Sequence, residues 1–330
     1  MVPPFTSVFR AKFEQVALLW FEGFADACCI HHVFILFFRS RKLLIRTGQC
    51  FLLNGFIFLG SILVLNSAVI PTLQWMLPDQ CPQPCPFVGA LKFYSFLRHG
   101  LVQLLYVFWF YPLYIFSFVL SYMWYNDIAK YGFVITRKRG PSVVETSSQN
   151  ELVSQRDLID KPAGVEGVMI GIAEQIYSVL LLTTFSVEVY AMGFVPYFGK
   201  ALSFLLLSWM YAYYCFEYKW NLSQLCLERR LDIFESNWAY FAGFGNPCVL
   251  AIFFFRPLVS YGVMAILFPL FVLAANCSEA DLVVNVERRK EKCGGLRRLP
   301  IFYVAETLST QILLLIPVEP VERKQDDKIL

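Results

Sequence analysis

The chain has 330 residues, of which 57% are hydrophobic, 17% aromatic and 16% charged, and its formal net charge is +3. Its mean hydropathy is +0.54, whereas a typical soluble domain is roughly half apolar and a quarter charged. This composition excludes soluble globular, disordered, collagen-like, coiled-coil and small disulfide-rich proteins, and the low net charge gives no reason to expect nucleic acid as a partner. The sequence therefore predicts an all-α, polytopic membrane protein that has the lipid bilayer as its first partner.

Residues 1–46 predict an amphipathic helix at the membrane surface, followed by a basic segment. Large apolar residues recur at helical spacing over residues 5–24, but acidic residues and two histidines interrupt the apolar run. Such a helix fits the plane of the membrane surface better than a span, with the start of an ordinary span as the alternative. The bases that follow are Arg39, Arg41, Lys42 and Arg46.

Two long uncharged runs, residues 47–78 and 100–126, predict a first transmembrane hairpin over residues 47–126. Each run exceeds the about 20 apolar residues that cross a bilayer. The loop between the two runs contains Cys81 and Cys85, which an oxidising lumen would join as a disulfide. Two unpaired loop thiols are the equally weighted alternative.

Two broken hairpins, over residues 167–216 and 237–278, complete a predicted membrane domain that extends over residues 47–278. Each hairpin consists of two apolar runs separated by helix-breaking residues, and each either crosses the membrane or re-enters it from one side. The breaks fall at Gly193, Pro196 and Gly199 in one hairpin and at Arg256-Pro257 in the other. The polar segments 127–166 and 217–236 are predicted to be cytosolic loops.

Residues 279–330 predict a basic segment, a short amphipathic helix between Pro300 and Pro317, and a polar tail. Most Lys and Arg residues lie in segments that would share one side of the membrane, so the positive-inside rule places both termini in the cytosol. Two glycosylation sequons, at Asn221 and Asn276, lie on that side and are predicted to stay unused.

Charged residues within apolar runs are candidates for function because charge is costly in lipid. Glu174 and Glu188 are fourteen residues apart and therefore about 40° apart on one helix face, where they could line a polar seam or an ion path. The favoured alternative places both near the interface, paired with Lys200 or with a backbone donor. Arg256 is either an anion-binding residue at a hairpin tip or a turn residue that reaches the interface.

The segment Cys28-Cys29-Ile30-His31-His32 raises the question of a metal site, because Cys28, His31 and His32 would share one face of a continuous helix. Structural zinc sites usually combine two separated ligand pairs, and the sequence shows no second pair. It therefore predicts no metal. No phosphate-binding loop, metalloprotease helix or nucleophile motif is present, so neither catalytic residues nor cofactors are expected.

Several segments resemble the etoposide-induced endoplasmic-reticulum membrane protein family, and the chain looks like a plant-like homologue. The most specific ones are Tyr214-Cys-Phe-Glu-Tyr-Lys-Trp220, Arg229-Arg-Leu-Asp-Ile-Phe-Glu-Ser-Asn-Trp238, Phe241-Ala-Gly-Phe-Gly245 and Phe268-Pro-Leu-Phe-Val-Leu-Ala-Ala-Asn276. The motif residues that we expect to have structural roles are Tyr218, Trp220, Arg230, Asn237, Trp238, Gly243, Phe244, Gly245 and Pro269. The resemblance covers roughly residues 45–280. It extends more distantly to bacterial CysZ-type sulfate permeases, which have two long transmembrane helices and two hairpins that enter the membrane partway.

The resemblance implies a multi-pass, non-enzymatic protein of the endoplasmic reticulum that supports autophagosome or autolysosome formation and regulates growth or cell death. Its partners would be other membrane proteins of the endoplasmic reticulum or of autophagy. A CysZ-like anion (sulfate) channel or permease is the alternative. Importin binding is not expected, because only the few bases at 39–46 stand where animal members have a long arginine-rich segment. The sequence does not specify the oligomeric state.

Overall fold

The computed structural model describes residues 5–76, 106–137, 165–278 and 297–315, with short pieces at 96–97, 100–101 and 103–104. These residues form helices joined by turns and short connections, which confirms the all-α prediction. The helices are α1 (Phe5–Cys28), α2 (Ile30–Arg39), α3 (Arg41–Phe51), α4 (Gly60–Val64), α5 (Ile70–Met76), α6 (Tyr111–Arg137), α7 (Val165–Met192), α8 (Gly199–Leu222), α9 (Leu227–Ser236), α10 (Trp238–Phe253), α11 (Pro257–Cys277) and α12 (Tyr303–Leu315). The loop with Cys81 and Cys85 lies outside the described residues, as does most of the predicted loop 127–166 and of the basic segment 279–298.

Five helical stretches of the described chain are long and apolar enough to cross a membrane, which confirms the prediction of a polytopic membrane protein. They are Arg10–Arg39, Arg41–Leu73, Val107–Arg137, Ile172–Met192 and Pro257–Cys277. The second and third coincide with the two long uncharged runs of the sequence. For the two later hairpins, crossing the membrane and re-entering it from one side both remain predicted alternatives.

The second of these stretches, Arg41–Leu73, is one uninterrupted helix, which we call the α3 rod. Two π-helical stretches, Leu52–Leu59 and Leu65–Val69, join α3 to α4 and α4 to α5. A third, Tyr106–Phe110, leads directly into α6. π-helical turns inside α-helices are rare overall. Those that do occur often lie at functional sites, because they displace side chains from the regular α-helical positions.

Both predicted breaks of the later hairpins coincide with helix ends. Helix α7 ends at Met192 and α8 begins at Gly199, and between them Tyr197 adopts a left-handed backbone conformation with φ of 65°. The second break precedes α11, which begins at Pro257, a position where a proline removes no helical hydrogen bond.

The predicted polar loop 217–236 is largely helical instead. Helix α8 continues beyond the neutral stretch to Leu222, and α9 follows after four residues. The charge of Lys219 in α8 is accommodated although the residue is buried, because its Nζ donates to the carbonyl oxygens of Ala275 and Ser278, 3.3 and 2.6 Å away. A cation at the carboxyl end of α11 satisfies carbonyls that have no helical partner and interacts favourably with the helix dipole.

The chain divides into two compact units. The first comprises residues 1–146, 204–225 and 237–297, and the second comprises residues 147–203, 226–236 and 298–330. The first unit thus contains α1 to α6, most of α8, α10 and α11. The second contains α7, α9 and α12.

Helix α1 packs against α10 along a face that includes two small residues. Leu19, Gly23 and Ala27 are buried, whereas Phe13 is 66% exposed. The structure thus joins α1 to the third predicted hairpin. Its placement at the membrane surface stays a prediction, since Arg10–Arg39 is also long enough to span.

Close backbone contacts at glycines hold the first unit together. A Cβ atom on Gly243 would overlap the carbonyl oxygen of Trp20, and one on Gly23 would overlap that of Tyr240. Gly245 makes the equivalent contact with the Ser208 carbonyl of α8. Lipid tails are as apolar as side chains, so close packing at small residues is a main source of helix association in membranes.

We expect the substitution Gly243→Ala to destabilise the first unit by about 1–3 kcal/mol, because the new methyl group can be accommodated only by separating α1 from α10. The midpoint of thermal unfolding in detergent should fall by several degrees. Gly48→Ala is the matched control, since Gly48 is exposed on α3 and no atom lies within 4 Å of an added Cβ. Alanine also favours the helix there, so equal losses in the two variants would contradict this assignment.

Candidate functional site

A cluster of buried polar side chains lies between the α3 rod, α6 and α11 in the first unit. We call it the Asn54 cluster, and it consists of Cys50, Asn54, Ser117, Ser121 and Tyr125. The three α6 residues are spaced by four and therefore share one helix face. Asn54 stands in the first π-helical stretch and is fully buried.

The amide of Asn54 is fully engaged. Its Nδ2 donates to Ser121 Oγ at 2.8 Å and to the Cys50 carbonyl at 3.1 Å. Its Oδ1 accepts from Ser117 Oγ at 2.5 Å. Because hydrogen bonds strengthen in a low-dielectric interior, this network fixes the α3 rod against α6.

The cluster continues to a backbone carbonyl of α11. Pro269 has no N–H, so the carbonyl of Ala265, four residues earlier, lacks its helical partner. The Tyr125 hydroxyl donates to that carbonyl at 2.7 Å, and Cys50 Sγ lies 3.8 Å from it. In lipid a freed carbonyl must find a donor inside the protein, and Tyr125 provides it.

The cluster lies between an ion pair and an aromatic layer. On one side Arg46 Nε is 3.3 Å from Asp127 Oδ2, which joins α3 to α6. On the other side the ring of Tyr261 packs against Phe58 and Tyr114, at centroid distances of 5.3 and 4.5 Å. The cluster thus locks three helices, and an ion could bind to Asn54 only by displacing its present partners.

Two further polar atoms near these helices are buried and lack a partner within the described part of the chain. They are Thr47 Oγ1, one turn before Cys50 on α3, and Asn276 Oδ1 at the end of α11. The other amide atom of Asn276 donates to the Ala129 carbonyl at 3.1 Å. A buried polar atom without a hydrogen bond is costly, so we expect a water molecule at each.

The structure does not bring the sequence-predicted charges together. Glu174 and Glu188 lie on the same helix, α7, roughly 21 Å apart along its axis. Glu174 accepts the backbone N–H of Leu227 and so caps the start of α9. Glu188 is half-buried, and its buried Oε2 lacks a partner among the described residues. Arg256 belongs to the other unit and is exposed just before α11.

The family-motif residues lie mostly in packed interiors. Trp220 and Phe244 are fully buried, and the ring of Phe216 lies between them, 5.7 and 4.9 Å away. Trp209 Nε1 donates to the Trp238 carbonyl at 2.9 Å, which fixes α8 against α10. Tyr218, Arg230, Asn237, Gly243, Gly245 and Pro269 are buried or half-buried.

Sequence reasoning missed a polar site in the second unit. Glu235 of α9 is buried and accepts from Arg298 Nε at 2.7 Å and from the backbone N–H of Phe302 at 3.1 Å. Arg298 also lies 3.3 Å from Asp232. We call Asp232, Glu235, Arg298 and Phe302 the Glu235 clamp. The sequence held one signal for this site, namely two acidic residues three apart, Asp232 and Glu235, together with the bases near Arg298.

The clamp holds the start of α12. The hydrogen bond from Arg298 to Glu235 raises the pKa of the guanidinium, so Arg298 stays charged at neutral pH. Burial and the nearby Glu235 raise the pKa of Glu306 in α12, while Arg298 acts in the opposite direction. Ionising Glu306 therefore costs more in the folded than in the unfolded state, and its contribution disfavours the fold as pH rises through the raised pKa.

Helix α12 packs on α7 through its small residues. Ala305 and Ser309 are buried, and Ser309 Oγ lies 2.7 Å from Thr184 Oγ1. Three apolar residues of this predicted amphipathic helix are exposed, namely Leu308, Ile312 and Leu315. The helix exists as predicted, but much of its apolar face is outside the packed interior.

We expect Asn54→Ala to destabilise the first unit by about 1–3 kcal/mol, because it leaves buried hydroxyls without partners. Ser121→Ala should cost less. The loss of stability in the double variant should be smaller than the sum of the two single losses, as expected for residues in one network. The measurement is thermal unfolding in detergent. Ser67→Ala, at an exposed position of the same rod, is the control, and strict additivity would show that the two residues do not interact.

Comparison with known proteins places these features in a family. Residues 29–269 match the family described as "Sulfate transporter CysZ/Etoposide-induced protein 2.4". The chain is 57% identical to Protein EI24 homolog of Arabidopsis thaliana, over 94% of this chain and 98% of that protein. It is 29% identical to Protein EI24 homolog of Dictyostelium discoideum, over 92% and 85% of the two chains. Ectopic P granules protein 4 of Caenorhabditis elegans is 26% identical over 58% and 55%. No solved structure gave a significant match. The chain is therefore a multi-pass membrane protein that belongs to the CysZ/etoposide-induced protein 2.4 family.

Proposed function

We propose that this protein is a non-enzymatic organiser of the endoplasmic-reticulum membrane that supports autophagosome and autolysosome formation, and through it growth or cell-death regulation. The family resemblance implies this role. The name of one relative, Ectopic P granules protein 4, fits a function in clearing cellular material. Its partners would be lipids and other membrane proteins of the same pathway.

The observation that carries the proposal is the exposed apolar face of α12, presented by the Glu235 clamp. Leu308 and Ile312 are about two-fifths exposed, and Leu315 is 82% exposed. A helix of this kind that follows a basic segment favours an anionic membrane surface, where apolar residues enter the headgroup region and the bases attract lipid charge. The clamp would hold α12 in a fixed orientation for that contact.

The state of the Asn54 cluster supports an organiser more than a channel. The cluster uses its amide and hydroxyl groups to hold helices together, and an aromatic layer follows it on one side. Conduction needs polar groups that are free to replace the water around an ion. Asn54 would have to release its present partners to serve in this way.

We place the basic segments on the cytosolic side. If Arg10–Arg39 crosses the membrane, the N-terminus changes side, but the later basic segments still share one side because the later passages are unaffected. Asn221 is exposed at the end of α8 in an intact sequon. Asn276 is 1% exposed and would be inaccessible in the folded protein on either side.

We therefore expect Asn221 to carry no sugar when the protein is made in cells. Treatment with an N-glycosidase should leave its electrophoretic mobility unchanged. A sequon introduced into the loop 79–99 should be glycosylated and is the positive control. Sugar attached at Asn221 would contradict the proposed topology.

The functional test is rescue of autophagic flux in cells that lack the protein. The wild-type chain should restore turnover of a lipidated autophagosome marker, whereas Glu235→Gln should restore clearly less at equal abundance, because it weakens the charged hydrogen bond to Arg298 by about 1.5–3 kcal/mol. Arg297→Gln is the matched control, since it removes an exposed charge next to the clamp. Full rescue by Glu235→Gln would separate the clamp from the function, and normal flux in the deleted cells would contradict the role in autophagy.

The second candidate is a CysZ-like sulfate channel or permease. The buried polar atoms of Thr47 and Asn276 that have no partner among the described residues favour it, because such atoms are available to bind water or an ion. Purified protein in liposomes would then release radiolabelled sulfate, and Arg256→Gln or Glu174→Gln would reduce the rate. Release no faster than from protein-free liposomes would exclude this function.

A further inference from the structure

We propose that Cys29, His31 and His32 form a binding site for a transition-metal ion of the zinc class. Their ligand atoms, the Cys29 sulfur and one ring nitrogen of each histidine, all lie within 4.8 Å of one another. Ligand atoms at about 2.0–2.3 Å from one zinc ion, at tetrahedral angles, lie about 3.5 Å apart. Small side-chain rotations are therefore enough to bring the three atoms onto one ion.

The site exists because the first helix is broken. Cys29 has φ of −73° and ψ of 53°, outside the helical region, and it separates α1 from α2. On a continuous helix Cys28 would share a face with the two histidines. The break instead turns the Cys29 side chain towards them, and this is why the ligand set differs from the one that the sequence suggests.

Tight turns fix the break on both sides. The N–H of Cys29 donates to the Asp26 carbonyl at 3.3 Å, and the N–H of His32 donates to the Cys29 carbonyl at 3.1 Å. The Asp26 side chain accepts from the Tyr240 hydroxyl at 2.7 Å, which ties this end of α1 to α10. The position of Cys29 is therefore set by regular elements before any ion binds, and such preorganisation favours binding.

The two imidazoles are also held close to each other. The rings of His31 and His32 have their centroids 4.1 Å apart, and the buried side chains of Val33 and Leu36 anchor α2 directly after them. His31 is exposed, so an ion can approach from outside the helix pair. One thiolate and two imidazoles are a ligand set that suits zinc and copper and disfavours calcium and magnesium.

A tetrahedral zinc ion held by three protein ligands has a fourth coordination position, which water or another ligand would fill. Thiolate and neutral imidazole are the binding forms, so binding releases protons and strengthens as pH rises. An ion bound there would join Cys29, at the break, to the two histidines in the first turn of α2. We therefore expect Zn²⁺ binding to stabilise the first unit as well as to occupy the site.

The test is zinc binding by the full-length protein, purified in detergent with an affinity tag that contains no histidine. Zn²⁺ is titrated against a chromophoric chelator, and elemental analysis gives the metal content. We expect one Zn²⁺ per chain, with affinity lowered by more than about tenfold in Cys29→Ser and in His31→Ala. His31 is exposed, so its substitution should leave the fold intact, which the thermal unfolding midpoint without metal will verify.

Cys28→Ser is the matched control, because it removes the neighbouring exposed thiol, which does not belong to the ligand set. It should bind zinc as the wild type does. Co²⁺ in place of Zn²⁺ should give a thiolate-to-cobalt absorption band that disappears in Cys29→Ser. No bound zinc in the wild type, or equal affinity in the wild type and Cys29→Ser, would overturn the proposal.

Discussion

Satisfaction of backbone polar groups inside lipid is the constraint on which this structure depends. Where a span contains a proline, the carbonyl four residues earlier loses its partner, and no water is available in the bilayer core to replace it. Pro269 creates such a carbonyl at Ala265, and the Tyr125 hydroxyl donates a hydrogen bond to it. Lys219 likewise donates to two carbonyls at the carboxyl end of the same helix. Helix α11 is thus held at two points by side chains from α6 and α8.

Close packing of small residues is the second source of order in the first unit. Three backbone contacts, at Gly23, Gly243 and Gly245, leave no space for a methyl group. They connect α1, α10 and α8 in a row, and the hydrogen bond from Trp209 to the Trp238 carbonyl reinforces the last pair. Because association in lipid gains little from burying apolar surface, such contacts and interhelical hydrogen bonds have to provide the specificity.

The helices and their breaks were largely predictable, because hydropathy, proline and glycine act locally. The runs at 47–78 and 100–126 predicted two long helices, and the breaks before Gly199 and Pro257 were visible in the sequence. The segment 217–236 was not, because its polarity suggested a loop. It is helical since Lys219 and Glu174 reach partners in other helices, and no local pattern reveals those partners.

Taken alone, the sequence determined that lipid surrounds most of this chain and that its secondary structure is helical, and it predicts that the basic segments share one side of the membrane. These properties follow from composition and from the order of residues along the chain. The tertiary structure decided which polar residues meet. Asn54 and Ser121 are 67 residues apart, Tyr125 and Ala265 are 140 apart, and Glu235 and Arg298 are 63 apart. It also decided that Glu174 and Glu188 lie far apart on one helix rather than at one site, and that Cys29 rather than Cys28 lies beside the two histidines. Such pairings depend on how helices pack and where they break, and side-chain contacts across the fold fix both.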